Sequence, residues 1–128
     1  MTHAATTTTH LSADMQKCID ACDDCRAACL TTVAYCLEKG GKHAQSDHIR
    51  LLLDCAEICA TSAGFLLRGS DLHGGICAAC AEVCDRCAES CESMGDEQMR
   101  DCATACRQCA ETCHLSDMSI APKPERLL

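Results

Sequence analysis

The sequence predicts an all-α chain, an antiparallel up-down-up-down four-helix bundle with a cysteine-lined core. Three observations lead there. Four long stretches carry apolar residues at helical spacing. Glycines and polar clusters separate them, leaving connections short enough to force antiparallel neighbours. No run shows the β-branched alternation of a strand.

Residues 1–11 read as a flexible N-terminal arm, because the first ten are threonine-rich and lack an apolar period. The bundle should occupy residues 12–118, and residues 119–128, with Pro122 and Pro124, should form a non-helical tail. The first helix is expected from about Ser12, a good N-cap, to Glu38, where Gly40-Gly41 stops it. A second runs from about Ser46 to Arg68 and ends at Gly69. Ser70-Asp71 should cap a third that continues to about Met94, with Gly74-Gly75 weakening its first turn. Asp96 should cap the fourth, which reaches about Leu115.

Sixteen of the 128 residues are cysteine, and they inflate a hydrophobic fraction of 48%. Tyr35 and Phe65 are the only aromatics, so the large side chains that usually dominate a core are scarce. The formal charge of -8 argues against nucleic acid or an anionic membrane surface as partner, since both require clustered Lys and Arg. No apolar run is long enough to span a bilayer, and Met1 is not followed by a basic and then an apolar region. A cytoplasmic, reducing location is therefore expected, where cysteine richness points to metal or redox chemistry.

The spacing of the cysteines carries most information. Cys18, Cys22, Cys25, Cys29 and Cys36 fall within about 60° on the first helix. Cys77, Cys80, Cys84, Cys87 and Cys91 span about 80° on the third, and Cys102, Cys106, Cys109 and Cys113 about 60° on the fourth. The second helix has only Cys55 and Cys59, with its stripe extended by His48 and Leu51 upstream and by Ser62 and Leu66 downstream. All sixteen thus occupy inward positions, while Asp20, Asp23, Arg26, Glu82, Asp85, Arg86, Glu89, Arg107 and Glu111 occupy the opposite faces.

One or two such cysteines would be small core hydrophobes. Sixteen in stripes are not, because Ala or Leu would fill a core without the oxidation risk. Disulfides within a helix would strain it, since side chains three or four apart stand about 5–6 Å apart at Cβ and a bridge needs about 3.5–4.5 Å. Bridges between helices stay open in geometry but are disfavoured in a reducing compartment, and metal is the third reading. Soft thiolates select Cu(I), Zn(II) or iron–sulfur clusters. The C-x-x-C pairs Cys22/Cys25, Cys77/Cys80, Cys84/Cys87 and Cys106/Cys109 sit mid-helix rather than in zinc knuckles. Multiple Cu(I) ions fit a row of shared thiolates best; a zinc or cadmium buffer and an iron–sulfur redox protein remain the alternatives.

The motif Cys18-x3-Cys22-x2-Cys25-x3-Cys29-x6-Cys36, the stretch from Asp54 to Ser70 and the later C-x2-C-x3-C runs resemble the bacterial copper storage proteins over about residues 12–118. The resemblance is to their cytosolic branch. It implies a four-helix bundle, Cu(I) held along the core by all sixteen cysteines, and a homotetramer.

Up-down topology groups the helix ends. Leu11, Phe65, Leu66, Leu72 and Ile76 should plug the end near Cys18 and Cys113. The other end gathers Cys36, His43, His48, Leu51, Met94, Met99 and Cys102 and should be the mouth, with His48, Met94 and Met99 as candidate ligands. His43 is expected in a solvated loop, His73 projects onto its helix's stripe if helix extends past Gly74, and His114 lies off its stripe. No catalytic constellation stands out; Asp54 and Glu57 flank the second helix's cysteines and should face water. The expected role is storage and detoxification rather than catalysis, with copper ions as partners and a copper chaperone or small thiol as candidate donor.

Overall fold

A computed structural model describes residues 11–118. The expected arm and tail lie outside the described residues, apart from Leu11. Helix α1 spans Ala13–Lys39, α2 Ser46–Leu67, α3 His73–Glu92 and α4 Glu97–Met118, with a single 3-10 turn, Gly41–Ala44, between α1 and α2. Among the described residues there is no strand, and no helix is long and apolar enough to cross a membrane.

The helix limits follow local chemistry. The Ser12 hydroxyl accepts from the Met15 amide at 3.0 Å, satisfying one orphan donor of the first turn of α1. Gly40, at φ 73°, adopts the left-handed backbone that ends α1 and returns its amide to the Cys36 carbonyl. Helix α3 starts at His73, so Gly74 and Gly75 are helical. The Ser70 hydroxyl does not cap it. Leu72 holds that position without a side-chain bond, and the Ser70 hydroxyl, two residues earlier, accepts from the Leu72 amide.

The four helices form a square in which α1 and α3 each pack against α2 and α4. Contacts across the core set the register. Along α1, Cys18, Cys29 and Cys36 meet Cys113, Cys106 and Met99 of α4 in turn. Along α2, Ser62, Cys59 and His48 meet Cys77, Cys80 and Ser90 of α3. Both series run in opposite directions, the antiparallel bundle expected from short connections.

The core is made of cysteine, alanine and a few large side chains: Leu52, Leu66 and Met99 are the bulkiest that are fully enclosed. Three expectations are corrected here. Leu52 rather than Leu51 occupies the inward position of α2: it is fully enclosed, three residues before Cys55, whereas Leu51 is half-buried. Leu72 does not join a plug; it is 69% exposed, since it sits in the turn before α3 rather than in a helix. Leu66 is enclosed, with Phe65 and Ile76 half-buried. His43 is not solvated but 7% exposed, because the 3-10 turn folds it back onto the bundle.

Candidate metal centre

Because the stripes recur every three or four residues, each cysteine they carry is delivered to the axis. All sixteen cysteines are buried and free, and none is more than 2% exposed. Their sulfurs do not merely point inward; many touch. Cys18 and Cys113 lie 3.3 Å apart, Cys25 and Cys55 3.5 Å, Cys55 and Cys84 3.5 Å, and Cys59 and Cys109 3.6 Å.

Four groups converge closely enough for one ion to reach every donor. They are Cys22, Cys59, Cys80 and Cys109; Cys25, Cys55, Cys59 and Cys84; Cys25, Cys29, Cys55 and Cys106; and Cys18, Cys77 and Cys113. Within each group the donor atoms lie within 4.8 Å of one another. Cys25, Cys55 and Cys59 each belong to two groups, so neighbouring ions would share thiolates. Although α2 carries only two cysteines, both sit at these junctions.

The electrostatics of the thiol core explain how it can exist. Hydrogen bonds from Cys109 to Cys22 and from Cys106 to Cys55 hold the acceptor thiols far below their ordinary pKa. The thiols that surrender least readily, Cys59 and Cys106, are driven far up by their bonds to Cys109 and Cys102 respectively. A thiolate here is stabilised by neighbours that must keep their protons, so the row cannot ionise together without added positive charge. Metal supplies that charge and displaces the protons.

The end near the α1 C-terminus has a different donor set. The Cys36 sulfur lies 3.5 Å from His48 Nε2 and 3.6 Å from the Met99 sulfur. His48 Nδ1 is 2.7 Å from the Ser90 hydroxyl, which fixes the ring with Nε2 towards Cys36. Burial, reinforced by the charge of His43, lowers the pKa of His48 and keeps its imidazole neutral, the form that ligates. Burial also raises the Cys36 thiol to about 11. Met94 is half-buried against the same end of the core. Beside it, Asp96 accepts from the Tyr35 hydroxyl and pairs with His43 Nε2 at 2.9 Å, fastening the 3-10 turn to the start of α4.

At the opposite end His73 Nδ1 is 3.9 Å from Cys77, whose sulfur is 3.5 Å from the Ser62 hydroxyl. The sequence placed both residues on inward stripes. His114 is exposed, 3.9 Å from Asp85, and Asp54 and Glu57 face water, all as expected. Two residues escaped sequence reasoning. Ser90 carries no signal of its own. Thr32 did leave one: it fills the seven-residue gap between Cys29 and Cys36 and is buried on the sulfur row.

Comparison with known proteins agrees with this geometry. The family model described as copper storage protein matches residues 11–118. A solved protein of Nitrosospira multiformis is 48% identical, with a TM-score of 0.78, the match covering 82% of this chain and 95% of that one. A Cu(I)-bound copper storage protein is 37% identical, with a TM-score of 0.75 over 80% of this chain and 96% of its own. A cytosolic copper storage protein from Streptomyces lividans, with five coppers, is 30% identical, with a TM-score of 0.78 over 84% and 95%. With the family match running over residues 11–118 and these relatives sharing its fold, the chain belongs to the copper storage protein family.

Proposed function

We propose that this protein stores Cu(I) and thereby detoxifies it, binding many ions through its sixteen cysteines, with His48, Met99 and Met94 as additional ligands at one end. The observation that carries this reading is the overlap of the four donor groups in a core closed to water. Soft, shared thiolates suit Cu(I), which accepts two or three ligands, better than zinc, which wants separate tetrahedral sets. The Cu(I) and multiple coppers held by solved relatives support it. Binding, rather than catalysis, is the role: no single thiol is set apart as a nucleophile.

The end bearing His48 and Met99 is the mouth. Imidazole and thioether ligands exchange readily and would pass ions from a copper chaperone or small-thiol donor to the thiolates. A cytosolic location, as in the Streptomyces lividans relative, would keep those thiols reduced. Association into a homotetramer is supported by Leu30 and Leu37 on α1 and Leu53 and Leu67 on α2, which are 40–57% exposed on adjacent helices.

Anaerobic titration of the reduced protein with Cu(I) tests the function. Thiol reactivity should vanish as copper binds, with several ions retained per chain and zinc unable to displace them. Retention of no stoichiometric copper, or preference for zinc, would overturn the reading.

A further inference from the structure

The cysteine core is not uniform. Twelve of the sixteen sulfurs belong to the four converging groups; Cys36, Cys87, Cys91 and Cys102 belong to none. None of these four makes the close thiol–thiol contacts that link most of the other twelve; Cys87 and Cys102 reach Cys29 and Cys106 only through longer interactions, and Cys36 contacts His48 and Met99. All four lie towards the mouth, on the last turns of α1 and α3 and the first turns of α4.

The break has a structural cause. On α1 the row runs Cys25, Cys29, Thr32, Cys36, so an alcohol stands where the spacing calls for a sulfur. Thr32 is 1% exposed and its hydroxyl has no hydrogen-bond partner, an uncommon cost for a buried polar group. On the inward row it stands between Cys29, which belongs to a converging group, and Cys36, which belongs to none. On α2 the row runs His48, Leu52, Cys55, and Leu52 is fully enclosed at the same border. Two of the four helices therefore present no sulfur at this level.

We propose that Thr32 and Leu52 divide the interior into a retentive store of twelve cysteines and a separate exchange compartment of Cys36, Cys87, Cys91 and Cys102. The proposal rests on the storage reading and goes beyond it. In the store each Cu(I) is surrounded by preassembled sulfurs, and removing one bond leaves others within reach. In the exchange compartment the donors are sparse, so an incoming acceptor thiol can bond the ion through its sulfur as the Cys91 or Cys102 thiolate leaves, and the departing thiolate takes up the proton that the acceptor thiol gives up. Copper stays Cu(I) throughout. The compartment serves as the pool that trades ions with the cell, while the store behind it holds them.

Release kinetics test this. Reduced protein, saturated anaerobically with Cu(I), is mixed with excess chromophoric Cu(I) chelator. Two phases are expected, the faster carrying about a quarter of the copper, in proportion to the four thiols outside the groups. The double variant Cys91→Ser/Cys102→Ser should lose the fast phase and keep the slow one. Thr32→Cys should join the two sulfur sets and slow the fast phase by about tenfold, in the range by which changes around a metal ligand alter affinity. Thr32→Val, equal in shape but without a donor, should leave both phases in place, and circular dichroism should show each variant helical. A single phase in the wild type overturns the division, as does a fast phase that survives loss of Cys91 and Cys102. Failure to load any copper would instead overturn the storage reading itself.

Discussion

The two ends of the bundle are built from the same helices yet solve different problems. At the Cys18 end the sulfurs close on one another, 3.3 Å apart at Cys18 and Cys113, and Leu66 is sealed beside them. At the Cys36 end thiol, imidazole and thioether meet at 3.5–3.6 Å, and a salt-bridged turn rather than a leucine covers them. The difference teaches that a stripe of identical residues does not make identical sites. What a thiol can do depends on how many others its neighbouring helices bring to the same level.

The comparison can be broken most forcefully through the few large apolar groups. Leu66→Ala should lower the stability of the metal-free protein by about 2–5 kcal/mol, as enclosed leucines do, and Leu52→Ala by a similar amount. Denaturant titration under reducing conditions measures both. Copper loading should mask much of the loss, because an ion that binds only the folded state adds its binding energy to folding.

Next in size is the contrast between ligands. Cys59 belongs to two donor groups and Cys36 to none, so Cys59→Ser should remove more retained copper than Cys36→Ser. Metal analysis after partial chelator challenge reads the difference; equal losses would show that the ends do not differ as the geometry says.

Titration separates the ends more gently. Burial raises the Cys36 thiol from 9.0 to about 11, so the folded state keeps a proton that the unfolded chain has lost. Its contribution is complete below pH 9.0 and disappears as pH rises through about 11, and the apo-protein should lose stability across that alkaline interval. Cys36→Ser should flatten it. In acid the sign reverses. Hydrogen bonds from Tyr35 and then His43 lower Asp96 from 3.8 to about 2, so its contribution is present above 3.8 and is lost as pH falls through about 2. Asp96→Asn should lower the melting temperature slightly at neutral pH and remove that acid limb. The smallest effect belongs to Arg107, paired with Asp85 and Glu92 on the exposed outer face, where Arg107→Ala should leave both stability and copper retention unchanged.

Much of this was legible in the residues. The Ser12 cap, the glycine stops and the inward direction of every cysteine follow from periodicity and capping alone. The misplacements share a cause. His43 and Leu72 lie between helices, where no period constrains a side chain, and tertiary contacts put one inside and the other out. Leu51 and Leu52 both border the stripe, and only the packing of α2 into the bundle chose between them.

Direction around a helix is a local property, fixed by about 100° per residue, and so the sequence by itself determined four inward rows of sulfur. Which sulfurs meet is not local. It depends on the axial register and spacing of four separate helices, and that alone joined Cys18 to Cys113, set His48 against Cys36 and left the Thr32 hydroxyl without a partner.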